Sequence, residues 1–351
     1  MEYIKKSWQK EEKKVEIPKE VLDKMGARGS FVTVKSDRIF KDLEEKTQGD
    51  IYSSHNLSVS DKINLKTGEI YFKMWVDNLT KNIQIIQKNE GISKLPKTKR
   101  KTAIVVGAGP SFWEKNHIKK LKKVKDKTII ATDKMLVPLL KEGITPDYVV
   151  SVDGLEEIKN YYDDPLVNKD ISTIGIMAVT VAPEVVNLYP GKMYFYTPMV
   201  DDVNQPISAT NTISYLTNTS VIASGGNVGI TCINVAYYLG YKNIICIGLN
   251  LGYATEKDVE ESSHFIDIKE DDPSMSFEKY MSLFVEEGFN PEFNVKYFTD
   301  LSWKPQIEKV LERAVNMSKQ GINLINATEG GSLHGRGIVC MQFDEALKKY
   351  E

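Results

Sequence analysis

Residues 107–111 read Gly-Ala-Gly-Pro-Ser, and residues 223–229 read Ala-Ser-Gly-Gly-Asn-Val-Gly. Glycine lets a backbone approach a ligand closely, and the first N–H groups of a helix are ready donors to an anion. Gly107, Gly109 and Ser111 are therefore candidate phosphate-holding residues, as are Ser224, Gly225, Gly226 and Asn227. The first turn is not a full dinucleotide fingerprint, because Phe112 stands where the third glycine belongs, and it lacks the lysine of a P-loop. An ordinary turn and an ordinary helix cap use the same residue types.

Asp133 and Asp153 each follow an apolar run. A carboxylate there is either an N-cap or a ligand of Mg²⁺ facing a polyphosphate. Asn250, Gly252 and Tyr253 follow another apolar run, and Thr328, Glu329, Gly330 and Gly331 follow the last. Of the four histidines, His264 in Glu-Ser-Ser-His-Phe reads as a loop residue and is the candidate general base. His334 lies in a glycine-rich loop, and Arg336 and Lys134 are further phosphate partners to consider.

These residues need a frame that gathers them. From residue 102 onward, strand-like runs (TAIVVG, KTIIATD, DYVVSVDG, TIGIMAV, KMYFYTP, KNIICIG, INLINAT) alternate with helical segments. Near-continuous apolar strands between helices imply a parallel sheet covered on both faces. The predicted fold class is α/β: a Rossmann-like, mostly parallel sheet with helices on both faces, plus a smaller α+β N-terminal region. Residues 1–100 form that accessory region and 101–351 the nucleotide-binding domain. Within 1–100, NLKTGEIYFKMWV reads as a turn at 66–68 feeding a strand, and VDNLTKNIQIIQKN as a helix. In such sheets ligands gather at the carboxyl ends of the strands, where the residues above stand.

Composition narrows the function classes. With 46 basic and 48 acidic residues, the chain carries no general attraction for nucleic acid or anionic membrane. Three separated cysteines without a CxxC argue against a disulfide framework or zinc site and suit a reducing cytoplasm. The charged N-terminus does not read as a signal peptide, and no run reaches the ~20 apolar residues of a membrane span.

VVGAGPSF, ATDKMLVPLLKEGITPDYVVSVDG, ASGGNVGITCINVAYYLGYKNIICIGLNLGY and LINATEGGSLHGRG, in this order, resemble the MptE-like family. That family includes archaeal 6-hydroxymethylpterin diphosphokinases and bacterial motility accessory factors. The resemblance covers about residues 75 to 340. VDNLTKNIQIIQKNEGI and NATEGG look more like the motility accessory factors, which are associated with glycosylation of flagellin by nonulosonic acids. The same set is similar to bacterial sialyltransferases that use CMP-activated sugars. That second resemblance implies that Gly107, Gly109, Ser224 and Gly225 contact a nucleotide. Those transferases carry asparagines near the positions of Asp133 and Asp153 and need no metal, whereas the diphosphokinases have aspartates there and use Mg²⁺ with ATP.

The expectation is a cytoplasmic transferase with a nucleotide-activated donor, a glycosyltransferase for a nonulosonate-type sugar. Its donor would be a CMP-sugar or ATP, and its acceptor flagellin, another protein or a small molecule. The alternatives are a Mg²⁺-dependent 6-hydroxymethylpterin diphosphokinase and a non-catalytic nucleotide-binding adaptor.

Overall fold

A computed structural model describes residues 59–96, 99–204, 208–224 and 226–350. Helix α1 (Val59–Lys88) leads into β1 (Glu90–Gly91) and β2 (Thr102–Val106). Then follow α2 (Ser111–Glu114), α3 (His117–Leu121), β3 (Thr128–Thr132), α4 (Asp133–Lys141), β4 (Tyr148–Ser151), β5 (Ile174–Ala178), α5 (Pro183–Leu188) and β6 (Met193–Pro198). The next elements are α6 (Ala209–Thr217), β7 (Val221–Ile222), α7 (Val228–Tyr238), β8 (Asn243–Ile247), α8 (Glu256–Glu260), α9 (Ser263–Asp271) and α10 (Phe277–Phe284). The described chain closes with β9 (Val285–Asn290), β10 (Val295–Asp300), α11 (Lys304–Lys319), β11 (Asn323–Asn326), β12 (Ile338–Cys340) and α12 (Phe343–Lys349).

The main sheet runs β1-β6-β5-β4-β3-β2-β8-β11-β12, with β7 paired to β6 beyond β1. Its pairings are parallel. This is the expected α/β sheet, and its sequence cause is plain. Every residue of β2, β3 and β4 is buried, as strands covered on both faces must be. Successive residues serve opposite faces. Ala103 and Val105 join the core under α7 and α11, while Ile104 and Val106 join the one under α3 and α12. The chain steps outward from β2 to β6, then crosses back to β8 on the other side of β2. That reversal puts the topological switch between β2 and β8.

Two local expectations are corrected. The turn and strand expected at 64–76 are part of α1, which runs unbroken through Gly68. An interior glycine costs a helix about 1 kcal/mol. Packing offsets that cost, because Asn78, Asn82 and Ile86, four residues apart, are all buried. The stretch around His264, expected as a loop, holds α8 and α9. A capping box between Thr255 and Asp258 starts the first, and Ser262 Oγ accepts from Phe265 N to start the second. With α10, β9 and β10 these helices enclose their own small core around Phe265, Tyr280 and Phe284.

Candidate functional site

At the β2–β8 switch, the glycine turn after β2 lies against the turn after β8, not against residues 224–227. Gly107 N donates to Ile247 O at 2.9 Å, and Gly109 N to Gly248 O at 2.7 Å. A Cβ on Gly107 would fall 2.4 Å from Gly248 O, and one on Gly109 2.3 Å from Asn250 Oδ1. Ser111 Oγ donates to Asn250 Oδ1 at 2.8 Å. Gly331, at φ +73°, abuts the Asn250 backbone in the same way. Thr328 Oγ1 accepts from Leu249 N, and the Gly330 carbonyl accepts from Asn326 Nδ2. Glu329 binds His117, Lys120 and the Phe343 N–H. The structure brings these expected residues together, with their polar groups satisfied mainly by one another. Lys134 and Arg336 are exposed.

The open cleft lies further along the same edge, beyond β4, β5, β6 and β7. It holds about 700 Å³ of open space and is lined by Asp153, Thr180, Met199, Ser224, Gly226 and Asn227, among others. Asn227 caps α7 by accepting from Ile230 N at 3.0 Å. Gly226 has φ +80°, where glycine is favoured, and a Cβ there would meet the Gln306 side chain at 2.8 Å. Gly225 falls outside the described residues.

Trp75 of α1 forms another wall of this cleft. Two amides of that helix hold it there. Asn78 Nδ2 donates to Gly154 O at 2.8 Å and Thr180 O at 3.2 Å, and Asn82 Nδ2 donates to Val181 O at 2.8 Å. Gly154 is required at this contact, since its Cβ would stand 2.9 Å from Asn78 Nδ2.

The two aspartates occupy neighbouring strand ends. Asp133 is 3% exposed. Its Oδ1 accepts from Lys134 N at 2.8 Å and its Oδ2 from Ser151 Oγ at 2.9 Å. Burial, and then the charge of Asp153, push its carboxyl up to about 7. Burial raises Asp153 to about 6. The Tyr196 hydroxyl, buried in the field of both carboxylates, has no partner among the described residues. Among the described residues no trio of His, Cys, Asp or Glu forms a metal cluster. Mg²⁺ commonly takes only one or two carboxylates, completing its shell with water and substrate phosphates. Asp153, which faces the cleft, fits that use. Asp133 lies behind it with both oxygens already accepting.

His264 is not on a loop but in the first turn of α9. Its Nδ1 lies 3.5 Å from Asp300 Oδ2 and 3.3 Å from the Tyr253 hydroxyl. Its ring packs 5.2 Å from that of Trp303. Asp300 is fully buried, and its Oδ1 accepts from Ser302 N at 2.8 Å. A proton on Nδ1 facing Asp300 leaves Nε2 of the neutral ring as the acceptor. Sequence reasoning missed Asp300 and Trp303, although Thr-Asp-Leu-Ser-Trp after an aromatic strand could have drawn attention. Trp303 immediately precedes α11, and Gln306 in that helix's first turn covers Gly226. One helix start thus touches both the histidine ring and a glycine of the cleft. His334 sits apart, 3.5 Å from the Tyr297 hydroxyl, and burial lowers its pKa.

Residues 76–256, 181 of the chain's 351, match the family model described as "6-hydroxymethylpterin diphosphokinase MptE-like". No curated protein matches the chain. Among solved structures it is similar to a MAf glycosyltransferase from Magnetospirillum magneticum AMB-1, with a TM-score of 0.51 and 16% identity over 76% of this chain. The chain covers 38% of that protein's length, and the likeness is one of fold.

Proposed function

This chain belongs to the MptE-like family, and from that premise we propose a transferase that takes a nucleotide-activated donor, a glycosyltransferase for a nonulosonate-type sugar. One observation carries the reading. The cleft at the strand ends combines an aromatic wall (Trp75), Ser224, Gly226 and Asn227 just before helix α7, and a carboxylate (Asp153). These suit a nucleobase or sugar ring, a phosphate and a hydroxyl or cation, respectively. His264, with Nδ1 toward Asp300, takes the acceptor hydroxyl's proton at Nε2. Asp300 positions the ring and offsets the charge it gains. The acceptor is flagellin, another protein or a small molecule, and a cytoplasmic setting suits a nucleotide donor.

The second reading is a diphosphokinase moving pyrophosphate from ATP to a pterin-like alcohol, and the paired Asp133 and Asp153 favour it. There Mg²⁺, held by Asp153 with Asp133 behind it, would neutralise phosphate charge. Ser224, Gly226 and Asn227 serve both readings.

Titration of the full chain with CMP, CDP, UDP, AMP and ATP, with and without Mg²⁺, separates them. A bound nucleotide at 100 times its Kd stabilises the fold by about 2.7 kcal/mol. CMP binding that ignores EDTA supports the glycosyltransferase. ATP binding that requires Mg²⁺ supports the diphosphokinase. Binding without turnover of any donor leaves an adaptor, and the absence of nucleotide binding defeats all three.

A further inference from the structure

A second groove runs between α7 and α11 and opens beside the cleft, sharing Met199 and Ser224 with it. Most of its lining is apolar, with Ile230, Ile233, Val310, Met317 and Leu324 from α7, α11 and β11, and Asn234, Lys309 and Arg313 enter it. Arg313 lies one helical turn beyond Lys309. Its guanidinium is partly buried, which works against its charge, and among the described residues no carboxylate lies within salt-bridge distance of it. Asn234 is 4% exposed. Its Nδ2 donates to the Ala223 carbonyl, which fixes the amide's orientation. Its Oδ1 is buried with no partner among the described residues.

The two unmet demands are complementary. A partly desolvated guanidinium favours an anionic partner, and the attraction strengthens as water is excluded. A buried amide oxygen calls for an N–H or O–H donor. A bare inorganic anion answers only the first. We infer that this groove is a subsite for a small organic anion, its carboxylate or phosphate on Arg313 and a neighbouring hydroxyl or amide N–H on Asn234 Oδ1. The shared mouth makes the anion part of the molecule in the cleft, or its reaction partner. That assignment rests on the transferase reading, whereas the groove's own recognition chemistry does not.

Ligand-observed NMR titration of the full chain tests this with four probes: glucuronate, glucose 6-phosphate, inorganic phosphate and glucose. At least one sugar anion should bind tenfold or more tightly than glucose and than inorganic phosphate, and which one it is separates carboxylate from phosphate. Arg313→Gln should weaken that binding at least tenfold. Arg313→Lys, which keeps the charge, should retain part of it. Unchanged thermal midpoints show that both variants fold. Sugar anions binding no better than glucose would overturn the inference, as would Arg313→Gln binding like wild type. Inorganic phosphate matching the sugar anions would overturn the part assigned to Asn234. Anion binding that persists when no nucleotide binds would count against the transferase reading and leave the groove standing.

Discussion

Nδ1 of His264 stands 3.5 Å from Oδ2 of Asp300, a carboxylate with no exposed surface that also accepts from the Tyr280 hydroxyl at 3.2 Å. The pair joins a helix and a strand that are 36 residues apart in the chain. If His264 is the base, His264→Ala should lower turnover by about 10²–10⁴ and leave nucleotide affinity nearly unchanged. Asp300→Asn should also lose turnover on the order of 10² or more, because the amide favours the wrong tautomer. Steady-state rates at saturating donor, beside nucleotide titration, check both. Rates within twofold of wild type would remove the dyad from the mechanism.

Gly109→Val tests the turn after β2. Its side chain would strike Asn250 Oδ1 and the Gly248 carbonyl, so the variant should lose stability as well as any nucleotide binding. Steric clashes of this kind typically cost about 1–3 kcal/mol. Chemical denaturation measures it. A stable Gly109→Val protein would mean that the contact between the two turns is not tight.

Asp133 predicts a pH dependence. Its folded-state pKa is raised to about 7, against an unfolded value near 3.9, so the folded state holds its proton at higher pH than the unfolded chain. The contribution to stability is full below about pH 4 and is lost as pH rises through about 7. Asp133→Asn should remove that loss. Relative to wild type in EDTA, the variant should gain on the order of 2 kcal/mol at pH 8 and little at pH 4. Urea unfolding at the two pH values decides it, and an equal difference at both would refute the buried-carboxylate account.

Asp153→Asn separates the two nucleotide readings. If Mg²⁺ bridges this carboxylate to phosphates, the variant should lose the Mg²⁺-dependent part of nucleotide stabilisation and keep the rest. Identical thermal shifts for variant and wild type, in Mg²⁺ and in EDTA, would end the metal reading.

Trp75→Ala should weaken nucleotide binding by about 1–3 kcal/mol if a base stacks on the indole. Trp75→Phe should recover most of that loss. Calorimetric titration of both variants measures it, and full affinity in Trp75→Ala would remove the residue from the site.

The sheet was readable because β2, β3, β4 and β8 are short, unbroken apolar runs, and the helix after Asn227 carries its own cap. The sequence also placed the polar residues at the carboxyl ends of the strands, where the structure has them. It could not say which strand ends leave room for a ligand. That depends on pairing across the sheet: Gly107 and Gly109 face Gly248 and Asn250 only because β2 and β8 are neighbours. Trp75 was hidden because β-branched and aromatic residues around Gly68 mask the helical spacing of α1. Asp300 was hidden because it reaches His264 only after the chain has built α10, β9 and β10 between them.

The two asparagine amides of α1 grip the loops after β4 and β5, while the same helix lends Trp75 to the cleft. Holding the helix and closing the cleft therefore draw on one free energy. A ligand packed against Trp75 should favour the docked helix, and a change at Asn78 or Asn82 should weaken that ligand only in proportion to the docked fraction it removes. Protection of the α1 amides from hydrogen exchange thus becomes a gauge of occupancy.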